Sequence, residues 1–250
     1  MYPPFAPNRA FFLDVDGTLL ALADNPDEVV VPLDLIDLLS RLYRLNDEAV
    51  ALISGRTIRD LDRLFTPLRM PAAGQHGLER RDHGGRLHYH HELDTRLDGI
   101  RERLQQFVHA NPGVLLEDKG FSLAVHYRQA PEKEIGVDAF IRQLMPGIEQ
   151  EFHVLKGKMV FEIKPGGRNK GMAIEEFMVE APFRNRTPVF IGDDVTDEDG
   201  FAVVNNLGGY SIKVGDGDSA AGWHLENPSC VMDYLNIYTA GLSKQQQDQQ

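Results

Sequence analysis

The sequence predicts an α/β fold, a Rossmann-like parallel sheet interrupted by an inserted α+β domain, and three observations carry that expectation. Short apolar runs at 11–13, 49–53 and 188–192 end abruptly in polar residues, as strands buried on both faces do. Segments with helical spacing alternate with them, the opening pattern of a parallel sheet. Between the two α/β stretches the texture changes to two-residue alternation and turn signals.

Phe11, Phe12 and Leu13 make the first strand, so Asp14 falls at its carboxyl end, where open parallel sheets bind ligands. Leu35, Leu38, Leu42 and Leu45 predict a helix at about 34–45, followed by the strand AVALI at 49–53. Thr57, with Asp60 three residues on, is an N-cap signature for a helix carrying Ile58, Leu61, Leu64 and Phe65. GLERRDHGGRLHYH reads as a hairpin with Asp82 to Gly85 at its tip. Residues 97–108 are helical through Leu97, Ile100, Leu104 and Phe107. GVLLEDKGFSLAVHYR and HVLKGKMVFEIKP are expected as long strands flanking a helix near 137–149. The α/β pattern returns with a helix from Met172 to Val179, the strand PVFIG, a capped helix after Thr196 and the strand YSIKV at 210–214. Trp223 and a helix from Ser229 through Val231, Leu235 and Tyr238 read as core packing. The core is therefore expected at 1–82 and 163–250, with the α+β insertion at 83–162.

At 250 residues and 42% hydrophobic composition, the chain has material for one large domain or two modest ones. A net charge of -12 disfavours nucleic acid or an anionic membrane surface as the main partner. The single cysteine, Cys230, excludes an internal disulfide framework and fits a reducing cytoplasm. MYPPFAPNRA lacks the apolar core of a secretion signal, and no run approaches eighteen apolar residues, so a cytoplasmic protein is expected. The expected assembly is a monomer, with a dimer as the alternative. The tail SKQQQDQQ is polar and expected to fray.

FFLDVDGTLL is the most informative stretch. Asp14 and Asp16 leave an extended backbone on the same side, and Gly17 lets the chain turn away at once. Two carboxylates this close call for a neutralising cation, and the hard cation that suits oxygen ligands beside phosphate is Mg²⁺. A calcium-binding EF-hand loop is excluded, because its glycine and its terminal glutamate would fall on Leu19 and Asn25. An Asp-Gly hairpin turn remains compatible with this stretch alone. Three further strand ends carry suitable groups. Ser54, beside Gly55, offers a hydroxyl and backbone N–H groups to a phosphate oxygen, although a Ser-Gly-Arg turn can also be purely structural. Lys170 follows PGGRN and opens a helix from which its ammonium could reach a phosphoryl group; the plain alternative is a surface lysine. VFIGDD places Asp193 and Asp194 at another strand end, ahead of Asp197; Glu198 and Asp199 read as an acidic helix start.

In this order LDVDGT, ISGR, NKG and GDD resemble the four motifs of the haloacid-dehalogenase superfamily of phosphatases, and the insertion looks like its larger cap. Within it, DVDGTL, ALISGRT, GQHGLE, AVHYR, FEIKP, NKG and GDDVTDEDGF resemble the bacterial trehalose-6-phosphate phosphatases over nearly the whole chain. The resemblance implies that Asp14 attacks phosphorus to form an aspartyl-phosphate and that Asp16 protonates the sugar oxygen, then activates water. It implies Mg²⁺ held by Asp14, the Asp16 carbonyl and Asp193, with Asp194 and Asp197 orienting metal-bound waters or Lys170, and Ser54 and Lys170 on the phosphoryl oxygens. The partner it implies is a small-molecule sugar phosphate.

Sugar identity should be read on the inserted domain. Glu117 and Lys119 are two apart on one strand, and Glu162 is expected on the strand beside it; by resemblance the three contact the distal glucose. From spacing alone, an exposed salt-bridged sheet face fits equally well. His76, His126, Arg128 and Lys158 are further candidates for the same cleft, and Arg56, next to Ser54 and Gly55, for phosphate or sugar. The run HYHH at 88–91 splits its histidines between two faces without matching cysteines, which argues for a solvated strand rather than zinc. Two other functions share parts of the pattern: a phosphatase of sucrose phosphate or a hexose phosphate, and a receiver-like phospho-accepting module. In the receiver, Asp16 and the insertion have no purpose.

Overall fold

The structure, a computed structural model, describes residues 2–22 and 29–248. Asn25, at which the calcium-loop pattern fails, lies outside the described residues, as do Gln249 and Gln250 of the tail. Along the chain run β1 (Arg9–Leu13), α1 (Leu33–Leu45), β2 (Val50–Ile53), α2 (Ile58–Leu64), β3 (Ala72–Gly74), β4 (Glu79–Arg81) and β5 (Leu87–Tyr89). Then come α3 (Arg96–His109), β6 (Leu115–Asp118), β7 (Leu123–His126), α4 (Glu134–Leu144), β8 (Phe152–Gly157) and β9 (Val160–Pro165). The chain continues through α5 (Lys170–Met178), β10 (Thr187–Gly192), α6 (Glu198–Asn206), β11 (Tyr210–Val214), β12 (Trp223–Leu225) and α7 (Pro228–Asp248). The described residues form two compact units, one of 2–22, 29–88 and 169–248, the other of 89–168. Both divisions fall six residues beyond the expected 82 and 162. The cause at the first is strand pairing: the hairpin of β4 and β5 extends the large sheet instead of opening the insertion.

The first unit holds an eight-stranded sheet in the order β12-β11-β10-β1-β2-β3-β4-β5, parallel from β12 to β3, with β4 antiparallel to β3. Side chains alternate across it, so β1 serves two cores. Phe11 and Leu13 pack with Leu35, Leu38, Leu39 and Leu42 of α1 and Leu235 and Tyr238 of α7. Ala10 and Phe12 face Ala173, Ile174 and Phe177 of α5 and Phe201 and Val204 of α6. Phe12 lies against Phe177 and Phe183 at ring-centroid distances of 5.9 and 5.5 Å, and its truncation to alanine would cost about 3–5 kcal/mol. Covering both faces explains why the strands are continuous apolar runs.

Helix ends follow local chemistry. Thr57 caps α2 by accepting from the Asp60 N–H, as its spacing predicts. The helix expected after Thr196 is instead capped by Asp194, which forms a capping box with Asp197 and leads through one 3₁₀ turn into α6. The tail expected to fray is helical to Asp248, because Tyr238, Thr239 and Leu242 anchor α7 in the core.

The second unit is a four-stranded antiparallel sheet, β6-β7-β9-β8, with α3 and α4 on one face. Each stretch expected as a long strand is a hairpin, turning near Gly120 in the first and near Met159 in the second. The strand of Glu162 is consequently not beside that of Glu117: β7 lies between, and Ala124 is the residue paired with both. α4 covers Glu134–Leu144 rather than 137–149, since Pro146 has no backbone N–H with which to continue the helix. No helix among the described residues is long and apolar enough to cross a membrane.

Candidate active site

Three ladders deliver the chemistry to the carboxyl edge of the large sheet. The Asp14 N–H donates to the Ile191 carbonyl at 3.0 Å, extending the β1–β10 pairing one residue past β1. The Ser54 N–H donates to the Ala73 carbonyl at 2.9 Å and does the same for β2 and β3. Asp193 follows directly on β10. Gly17, at φ 87°, turns the chain beneath Asp193, and a Cβ there would run into the Asp193 carboxylate.

Lys170, the first residue of α5, is set by the Asn169 cap, whose Oδ1 accepts from the Met172 N–H at 2.8 Å. Its ammonium donates to Asp14 Oδ1 and to Asp197 Oδ1, each at 2.7 Å. Asp197 Oδ2 accepts from the Asp193 and Asp194 N–H groups at 3.0 Å, so both its oxygens serve the strand end and the lysine. Asp14, Asp193 and Asp197 each bring a carboxylate oxygen to within 4.8 Å of the others, all buried. Burial pushes the Asp14 carboxyl well above the usual range; Lys170 pulls it down, while Asp197 and Asp193 push it further up. Lys170 is lowered by burial but raised overall by its two carboxylates.

Asp14 Oδ2 is buried and receives no hydrogen bond from the described residues. An orphaned carboxylate oxygen beside two further carboxylates fits an all-oxygen site for a hard divalent cation. Asp197 already accepts from Lys170 and from the Asp193 and Asp194 N–H groups, and Asp194 spends Oδ1 on the Val195 N–H.

Asp16 turns to the second strand end. Its two carboxylate oxygens accept from Arg56 Nε and Nη2, both at 2.7 Å. Arg56, expected on phosphate or sugar, is thus committed to Asp16. The 54–56 loop is braced by the GQHG turn: the Gln75 N–H donates to the Arg56 carbonyl and the His76 N–H to the Ser54 carbonyl. Gln75 and His76 hold φ of 47° and 55°, a left-handed strain that such residues accept only where the surroundings impose it. His76 lies against Gly55, where a Cβ would approach its Nε2 to 2.7 Å. Its observed place is therefore beneath the loop.

Sequence reasoning missed Lys213. It is buried at the end of β11, with its ammonium donating to the carbonyls of Asp193 and Val214 at 2.8 Å and of Asp216 at 3.4 Å. The signal was available: a lysine inside a strand expected to be covered on both faces. One of its three main-chain bonds holds the Asp193 carbonyl, and the other two tie that point to the end of β11.

In the second unit, Glu117, Lys119 and Glu162 do come together. Lys119 Nζ lies 3.4 Å from Glu162 Oε2 and 3.9 Å from Glu117 Oε2. His126 Nε2 is 2.8 Å from Glu117 Oε2, which makes it a partner of that carboxylate. Arg128 Nη2 donates to the Lys158 carbonyl at 3.1 Å, and the Lys158 side chain is exposed at the β8–β9 turn. In the same unit Lys164, also missed, is buried, and its ammonium donates to the Arg168 carbonyl at 2.7 Å. Of the HYHH run, His88 contacts Asp82 at 2.8 Å.

Comparison with known proteins gives the family. A family model described as trehalose-phosphatase matches residues 12–229. The chain is 44% identical over 246 residues to the trehalose-6-phosphate phosphatase of Escherichia coli, covering 98% of this chain and 92% of that protein. It is 42% identical over 208 residues to a probable trehalose-phosphate phosphatase of Sinorhizobium fredii, covering 83% and 78%. The C-terminal domain of the C. albicans trehalose-6-phosphate phosphatase shares the fold, with a TM-score of 0.82 and 21% identity over 93% of this chain and 92% of that one. With the matched region spanning Asp14, Ser54, Lys170 and Asp193, the chain belongs to the trehalose-phosphatase family.

Proposed function

We propose that Asp14 is the nucleophile and Asp16 the acid and base with which this phosphatase hydrolyses trehalose 6-phosphate to trehalose and inorganic phosphate. The observation that carries the assignment is the Asp197–Lys170–Asp14 chain, which locks one Asp14 oxygen at 2.7 Å and leaves Oδ2 buried without a hydrogen bond. A carboxylate fixed by an ammonium on one oxygen, with the other placed to meet a cation, needs little reorganisation to attack.

An Asp14 oxygen forms the bond to phosphorus while the bond from phosphorus to the sugar oxygen breaks, and Asp16 gives that oxygen its proton. Water then attacks the aspartyl-phosphate, Asp16 takes the water's proton, and phosphate leaves Asp14. A carboxylate gripped through both oxygens by a guanidinium has no hydroxyl to donate, so Asp16 must turn away from Arg56 before it acts. Ser54 and Lys170 stabilise the phosphoryl oxygens. The buried oxygen set fits Mg²⁺, held by Asp14, the Asp16 carbonyl and Asp193, with Asp194 and Asp197 behind. When bound, the ion would neutralise charge between nucleophile and phosphate. Glu117, Lys119 and Glu162 are assigned to sugar hydroxyl groups, which a carboxylate accepts from and an ammonium donates to.

The test separates the two roles. With p-nitrophenyl phosphate, whose leaving group needs no acid, Asp16→Asn should release about one equivalent of nitrophenolate per enzyme and accumulate phosphoenzyme. Absence of both burst and phosphoenzyme would overturn the assignment. Phosphate release from a sugar-phosphate panel should favour trehalose 6-phosphate over glucose 6-phosphate.

A further inference from the structure

The polar face of the small sheet has an order that its sequence spacing hides. Paired residues of an antiparallel sheet share a face, and every second residue along a strand returns to it. Glu117, Ala124 and Glu162 form one row across β6, β7 and β9. Counting two residues along each strand adds Lys119, Ser122 and Lys164 on one side of that row and His126 on the other. The opposite face carries Leu123, Val125, Phe161 and Ile163 into the core. Carboxylates and ammonium groups therefore flank β7, whose own face residues are Ser122, Ala124 and His126.

Ser122 and His126 make short contacts with the two carboxylates. Ser122, fully buried, donates to Glu162 Oε1 at 2.6 Å, and His126 Nε2 reaches Glu117 Oε2 at 2.8 Å. Lys119 stands at 3.4 and 3.9 Å from the same two carboxylates, beyond the roughly 2.7–2.9 Å of a tight charge-assisted bond. Burial pushes Glu117 up, but His126 and Lys119 outweigh it and hold the carboxyl below its ordinary range.

We propose that Ser122 and His126 are positioning residues for sugar recognition: from β7 they hold Glu162 and Glu117 apart and keep both carboxylates from closing onto Lys119. The three charged groups are then presented at fixed separation to sugar hydroxyls. This rests on the assignment of Glu117, Lys119 and Glu162 to the sugar. Without its tie, a glutamate must be ordered when substrate binds, which weakens binding by about 3- to 10-fold for each side chain immobilised.

The experiment measures kcat and KM for trehalose 6-phosphate and for p-nitrophenyl phosphate in Ser122→Ala, His126→Ala, His126→Gln and Glu162→Gln, with melting temperatures alongside. In both alanine variants the ratio of kcat/KM for the sugar phosphate to that for the aryl phosphate should fall about 3- to 10-fold through KM. His126→Gln, which keeps an N–H donor, should recover most of it. Ser122→Cys, close in volume with a weak donor, should repeat the Ser122→Ala defect and serves if the alanine variant does not fold. If Glu162→Gln lowers the ratio while the Ser122 and His126 variants leave it unchanged, the positioning role is wrong. If Glu162→Gln leaves it unchanged too, the sugar assignment falls and takes the proposal with it.

Discussion

Two lysines, each beside two carboxylates, differ in how far they stand from them. Lys170 is gripped at 2.7 Å by both Asp14 and Asp197, whereas Lys119 stands 3.4 and 3.9 Å from Glu162 and Glu117. The first is a strut: its donors complete a chain from the Asp193 and Asp194 backbone through Asp197 to the nucleophile. The second stands further from its two carboxylates, which accept from Ser122 and contact His126 at 2.6 and 2.8 Å. On the proposed reading, the short bonds of the first hold the nucleophile in place for chemistry, and the wider spacing of the second leaves its carboxylates room to meet a ligand.

The comparison breaks most severely at Lys170. Lys170→Met leaves two carboxylates buried beside each other without their cation, and in metal-free protein should lower unfolding free energy by about 3–5 kcal/mol in urea titrations. Its kcat should fall about 10²- to 10³-fold on every phosphomonoester, sugar or not. Lys119→Met should weaken trehalose 6-phosphate selectively. Equal losses on both substrates for both variants would erase the distinction between strut and reader.

The convergence of groups on the large sheet's edge was more legible in the sequence than the arrangement on the small sheet, for a physical reason. A parallel sheet places every strand's carboxyl end on one edge, so LDVDGT, ISGR and GDD meet whatever the lengths between them, and NKG reaches them from the start of α5. Pairing in the small sheet depends on strand order, and a stretch expected as one long strand became the β6–β7 hairpin. That inserted Ala124 between Glu117 and Glu162 and brought Ser122 and His126 onto their face. Lys213 was hidden for another reason. Its bonds are to main-chain carbonyls, which no side-chain motif records.

Lys213 offers the next test, since it acts on the strut's side of the molecule without touching its carboxylates. Lys213→Met removes the donor on the Asp193 carbonyl while keeping the side chain's length in the core. Mg²⁺ affinity measured by calorimetry should drop about 10- to 100-fold, the range for groups that orient metal ligands. Unchanged affinity would reduce Lys213 to packing.

The smallest effect is a difference in sign. Glu117 is held below the ordinary carboxyl range when folded, so it contributes stability above its unfolded value that is lost as pH falls through the folded one. Asp14 is raised, so its contribution is present below the unfolded value and lost as pH rises through the folded one. In chelator-treated protein near neutral pH, Glu117→Gln should therefore lower the melting temperature and Asp14→Asn should raise it. Both differences should shrink as pH falls, Glu117's fading below the ordinary glutamate range and amounting to at most about 1 kcal/mol, because it is partly exposed. If the two variants shift melting in the same direction, the carboxylates of the two clusters are not held in opposite states, and the contrast between Lys170 and Lys119 is one of distance alone.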